Sequence, residues 1–80
     1  MNKFNAISLF ANVGVAETYL KELGIHVAVA NEINPIRAKF YTHLYPQTNM
    51  IVGDITQENI QNEIIDCCKK NNVDFLIATP

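Results

Sequence analysis

Three observations predict an α/β domain built on a parallel sheet. Short apolar runs of strand length alternate with segments of helical periodicity along the whole chain. The connections between them are short, with no linker, repeat or low-complexity stretch. Hydrophobic residues are 49% and charged residues 18% of the chain, a balance that suits a packed core and excludes a disordered one. Such alternation is the signature of parallel strands joined by right-handed helical crossovers. Eighty residues allow a single domain, residues 1–80. A domain of this size buries barely enough apolar surface to offset the entropy of ordering, so it is expected to be marginal without a ligand, a partner or further chain.

The first strand is read over Ala6-Ile7-Ser8-Leu9-Phe10. From Val15 to Leu23, the residues Ala16, Tyr19, Leu20 and Leu23 recur at helical spacing and predict an inward apolar stripe. Gly24 stops that helix. His26 to Asn31 is nearly all apolar and predicts a strand buried on both faces. Asn34-Pro35 starts the next helix, because Asn caps well and Pro loses nothing at the first helical position. Its inward stripe is predicted as Ile36, Phe40 and Leu44, with Pro46 beyond its end. Met50-Ile51-Val52 is the third strand. Thr56 can cap the third helix, with Glu58 in its first turn and Ile60, Ile64, Cys67 and Cys68 as its apolar face. Asn71-Asn72 ends it, and Val73 to Ala78 is the fourth strand, giving βαβαβαβ.

Charge and cysteine content narrow the function classes. The net charge is −2, and Lys69-Lys70 is the sole adjacent basic pair, so this surface is not built to hold nucleic acid. That pair suits a helix C-terminus instead. No apolar run approaches the length of a membrane span, and Met1-Asn2-Lys3-Phe4 leads into a strand without room for a signal peptide. Cys67 and Cys68 are neighbours, which on a helix point about 100° apart and suit neither a metal site nor an ordinary disulfide. Together these features point to the reducing cytoplasm.

The chemistry gathers at three strand ends. In a parallel α/β sheet, ligands bind outside the carboxyl ends of the strands. The turn Phe10-Ala11-Asn12-Val13-Gly14 follows strand one, Asn31-Glu32 closes strand two and Gly53-Asp54 closes strand three. Gly14 would let the backbone approach a ligand at the helix N-terminus, although glycine is common in any such turn. Glu32, 18 residues beyond Gly14, can accept hydrogen bonds from both hydroxyls of a ribose, or else serve as a helix-capping or solvated carboxylate near Asn34. Asp54 could meet an adenine amino group, or simply form the turn before Thr56. Phe10 and Ile33 could wall an adenine. Glu17 in the first turn would repel a phosphate but tolerate or bind an ammonium, which favours S-adenosyl-L-methionine over NAD.

These residues resemble a known family. Ser8-Leu9-Phe10-Ala11-Asn12-Val13-Gly14 is similar to the first motif of DNA (cytosine-5)-methyltransferases, D-L-F-x-G-x-G-G. Asn31-Glu32-Ile33-Asn34-Pro35 resembles their second motif, and Gly53-Asp54-Ile55 their third. Ile77-Ala78-Thr79-Pro80 resembles the lead into the fourth, which continues Pro-Cys-Gln. Ser8 stands where the family has Asp, and Asn12 and Val15 replace glycines.

The resemblance implies a Rossmann-like methyltransferase fold with strand order 3-2-1-4, and S-adenosylmethionine at the strand ends. Phe10 would pack on adenine, and the backbone of Ala11, Asn12, Val13, Gly14 and Val15 would line the methionine moiety. Glu32 would hold the ribose, Ile33 would cover the adenine, and Asp54 with Ile55 would complete the adenine side. The parent enzyme would act on cytosine in DNA, while these residues alone would have little DNA affinity. Neither Cys67 nor Cys68 stands where the family's nucleophile does, so no catalytic residue is expected in this chain and the fragment is expected to be inactive. The strand over 73–78 would have an open edge and promote self-association. Two other readings stay open on the residues alone: the NAD-binding portion of an oxidoreductase, and a non-enzymatic α/β interaction module.

Overall fold

A computed structural model describes residues 4–78. The elements are β1 (Phe4–Leu9), α1 (Val15–Glu22), β2 (Ile25–Glu32), α2 (Pro35–Leu44), β3 (Asn49–Val52), α3 (Glu58–Lys70) and β4 (Phe75–Ala78). All strand pairs are parallel and the order is β3-β2-β1-β4, as expected. The winding runs from β1 to β2 to β3 and then reverses to reach β4. Right-handed crossovers therefore place α1 and α2 on one face and α3 on the other. β1 lies at the reversal, which is where ligand crevices open in such sheets.

β2 carries the core. Ala28 and Val29 join Ile7 and Ile51 under Ile60 and Ile64 of α3, with Cys67 and Cys68 packed alongside as small apolar groups. On the other face Ala30 meets Ala11 and Tyr41 of α2, backed by Tyr45 and Met50. Asn34 caps α2 as its sequence predicts, its Oδ1 accepting from the amides of Ile36 (2.9 Å) and Arg37 (3.2 Å). Gly24 has φ 78 and follows the end of α1, while Asn71 caps the end of α3.

Several local expectations fail, each for a definable reason. β1 ends at Leu9, because Phe10 turns to φ 56 and leaves the strand. β4 begins at Phe75 rather than Val73, since the chain is still crossing from α3. Thr56 is not a cap. Gln57 holds that position, and the Thr56 amide and hydroxyl both donate to Oδ1 of Asp54.

The larger correction concerns which way α1 and α2 face. Ile36, Phe40 and Leu44 point outward, and α2 buries Ala38 and Tyr41 instead. In α1, Tyr19 and Leu23 are exposed, and the buried residue is Glu17. Both apolar stripes exist, but the sheet receives a different stripe. The entry turns set this rotation, and periodicity carries no information about them.

Candidate cofactor-binding site

The turn after β1 is built from left-handed residues. Phe10 (φ 56), Asn12 (φ 55) and Gly14 (φ 79) reverse the chain within a few residues of the strand end. Asn tolerates this region, and glycine is the natural occupant at the helix entry. The amide of Gly14 donates to Ala11 O at 3.0 Å, and the amide of Ala11 donates to Asn31 O at 3.0 Å. Ala11 is buried in the core beside Ala30 and Tyr41, so only its backbone can face a ligand. Phe10, Ile33 and Val15 remain exposed apolar groups around the strand ends.

Glu32 ties the three strand ends together. Its side chain is only 5% exposed at the last residue of β2. Oε1 accepts from the amide of Asn12 and Oε2 from the amide of Asn34, both at 2.8 Å. Its carbonyl accepts from the amide of Gly53 at 3.1 Å. A carboxylate oxygen has two lone pairs, so each keeps one acceptor site beyond these bonds. Glu32 is therefore not a merely solvated carboxylate, and its bond from the amide of Asn34, the N-cap of α2, gives it the helix-capping role that its place near Asn34 also offers.

Sequence reasoning missed Asn31, which performs a related task. Its Nδ2 donates to Ile51 O (2.9 Å) and Gly53 O (3.1 Å), fixing the end of β3 against β2. A lone Asn closing an otherwise apolar buried strand was the available signal, because a buried amide requires partners. Asp54 then forms the turn into α3. The two donors from Thr56 hold its carboxyl below the usual carboxylate range. Ile55 packs toward the α3 core and lines an apolar cavity of about 440 Å³ with Leu9, Ile64 and Leu76, away from Glu32.

Glu17 is not at the crevice rim, contrary to the ammonium-binding expectation. Its carboxylate lies beneath the Gly14 turn at 5% exposure, with Oε1 accepting from Ser8 Oγ at 3.3 Å. Ser8 thus stands where the family motif has an acid, and supports this one. Neither Oε2 of Glu17 nor Oη of Tyr41 has a partner within hydrogen-bond distance. Burial pushes the Glu17 carboxyl up, with the bond from the Ser8 hydroxyl partly offsetting it. Burial also raises the Tyr41 phenol far above its ordinary value, helped by the Glu17 carboxylate. Glu17 also lines a cavity of about 260 Å³ with Lys21, Val27 and Thr48, at the amino end of β2 and opposite the crevice.

The sequence pattern of the family described as C-5 cytosine-specific DNA methylase matches residues 4–80. The chain belongs to that family. It is similar to the type II methyltransferase M1.HgaI of Avibacterium volantium, at 42% identity over 74 residues, which cover 92% of this chain and 21% of that protein. Among solved structures it resembles a mutant of Spodoptera frugiperda DNMT2, with a TM-score of 0.74 at 28% identity over 98% of this chain and 23% of the other. The chain thus spans about a fifth of the length of the methyltransferases it matches. Family membership favours neither the oxidoreductase nor the interaction-module reading. Thr79 and Pro80, which resemble the start of the fourth motif, lie outside the described residues, as do Met1 to Lys3. Both cysteines of the chain lie within α3, packed against its core. Among the described residues no helix is long and apolar enough to cross a membrane, and no cluster of His, Cys, Asp and Glu could hold a metal ion.

Proposed function

We propose that this chain is the S-adenosylmethionine-binding part of a DNA cytosine-5 methyltransferase, whose parent protein methylates C5 of cytosine in DNA. The observation that carries this reading is Glu32, held by two backbone amides between the first and second strand ends with one acceptor site left on each oxygen. Two acceptors on one rigid carboxylate suit the vicinal hydroxyls of a ribose. When bound, S-adenosylmethionine supplies a methyl group activated by its sulfonium.

The residues of this chain bind and orient. Phe10 and Ile33 offer exposed apolar surface for an adenine, and Asp54 follows the β3 end that Asn31 pins, while Ile55 packs toward α3 instead. The backbone from Ala11 to Val15 forms the turn that would receive the methionine end. The two cysteines lie on α3 rather than at a strand end, so attack on the base is not assigned to this segment. With six Lys and Arg against eight Asp and Glu, DNA affinity is assigned to other parts of the parent enzyme.

Calorimetric titration tests the reading. Saturable heat with S-adenosylhomocysteine and none with NAD is expected. Glu32→Ala and Asp54→Ala should each weaken binding, the first more strongly. NAD binding without the adenosyl ligand, or indifference to both substitutions, would overturn it.

A further inference from the structure

The C-terminal end of α2 reaches back to the turn that opens α1. Tyr45 caps α2, its amide donating to Tyr41 O at 2.8 Å. Its ring lies against that of Tyr41, with centroids 5.0 Å apart and tilted by 49°. Tyr41 is fully buried, so this contact anchors Tyr45 to the core. The Tyr45 hydroxyl donates to the carbonyl of Gly14 at 2.6 Å, across 31 residues of sequence. Thr18 Oγ1 lies 2.9 Å from the same hydroxyl and donates to it, because the Tyr45 proton is already engaged with the carbonyl.

This bond fixes one particular peptide. Gly14 is the N-cap of α1, in the left-handed conformation and with no side chain of its own to cap the helix. The amides of Val15 and Ala16 have no acceptor within the helix, as in the first turn of any helix. A trans peptide is planar, so its carbonyl and the following amide point in opposite directions. Holding the Gly14 carbonyl down toward α2 therefore turns the Val15 N–H up toward the strand ends. The same carbonyl also accepts from the amide of Glu17 at 3.3 Å. The Tyr45 bond, at 2.6 Å, is the shorter of the two ties on a glycine peptide whose own backbone tolerates other orientations.

We propose that Tyr45 is a positioning residue for the amino-acid end of the cofactor. Its hydroxyl orients the Gly14–Val15 peptide so that the Val15 amide is presented to the cofactor's carboxylate. The inference rests on the cofactor reading above and adds a residue that touches no ligand. It predicts a selective defect. A ligand with an amino-acid end should feel the loss of Tyr45 Oη, and a ligand ending at the adenosyl thioether should not.

The test titrates the full chain with S-adenosylhomocysteine and with 5′-methylthioadenosine, which lacks the amino-acid end. Tyr45→Phe keeps the ring and should weaken the first ligand about two- to tenfold, the range of one net hydrogen bond, with the second unchanged. Thr18→Val, at an exposed position, should shift the same ligand in the same direction by less, and carries the test if Tyr45→Phe does not fold by circular dichroism. An equal loss with both ligands, or no loss with either, overturns the role of Tyr45. Wild-type chain that binds neither ligand overturns the cofactor reading itself, and this proposal with it.

Discussion

Gly14→Ala probes the joint on which the proposed site depends. A Cβ at this position would lie 2.5 Å from Tyr45 Cε2, 2.6 Å from Glu17 Oε2 and 2.8 Å from Tyr41 Cε2. None of these neighbours can retreat cheaply. Tyr41 is fully buried, Glu17 is wedged beneath the turn, and Tyr45 is held by its bond to the Gly14 carbonyl. Two costs therefore add. The left-handed backbone at φ 79 costs an alanine about 1–2 kcal/mol. Overpacking a close-fitted site costs about 1–3 kcal/mol more. A total of about 2–5 kcal/mol is a large share of the stability of so small a domain. The control is Gly24→Ala, since Gly24 has φ 78 and carries the same backbone cost. Urea denaturation followed by far-UV circular dichroism, with both variants compared at equal slope, reads the difference. Gly14→Ala should exceed Gly24→Ala by about 1–3 kcal/mol, the packing cost alone. Equal destabilisation would refute the argument that Tyr41, Tyr45 and Glu17 form a floor under the turn.

Glu17 and Asp54 act on stability with opposite pH dependence. The folded-state pKa of Glu17 is raised by burial, so its contribution is fully present below its unfolded value near 4.5 and is lost as pH rises through the folded pKa. Glu17→Gln should remove that decline, leaving the variant more stable than wild type at neutral pH, and urea midpoints across pH would show whether the two curves diverge upward from 4.5. The pKa of Asp54 is lowered by its bonds from Thr56, so its contribution is present above its unfolded value near 3.8 and is lost as pH falls through the folded pKa. Asp54→Asn should flatten the acid side of the same profile. β4 pairs with β1 on one side and ends the described sheet, with Leu76 exposed on it. Self-association through that edge is expected to rise with concentration in light scattering and to fall in Leu76→Lys, whereas a strictly monomeric species at high micromolar concentration would count against it.

Much of this protein was legible in its sequence. The seven elements and their parallel sense follow from alternation and from Asn34-Pro35 and Gly24 as boundaries, and Gly14, Glu32 and Asp54 fall at or just beyond strand ends as their spacing suggests. These are local signals, each set by a residue's own backbone preference or by a short period. The buried face of α3 is legible because Ile60 and Ile64 lie on a single apolar stripe, although its cap is not.

The tertiary structure decided the rest. α1 and α2 each offer more than one face, and periodicity cannot choose between the stripe of Ile36, Phe40 and Leu44 and the one holding Ala38 and Tyr41. The choice lies with the turns that deliver the chain from sheet to helix, whose geometry depends on contacts made from elsewhere. Gly14 is held by Tyr45 from α2, Asn12 by Glu32 from β2, and Gly53 by Asn31 and Glu32. Such bonds join residues 20 or more positions apart and leave no periodic trace. The sequence determined the elements and where their strand ends fall, and long-range packing determined how the groups there are held: Glu32 as a tie between strand ends, and Glu17 buried beneath the turn.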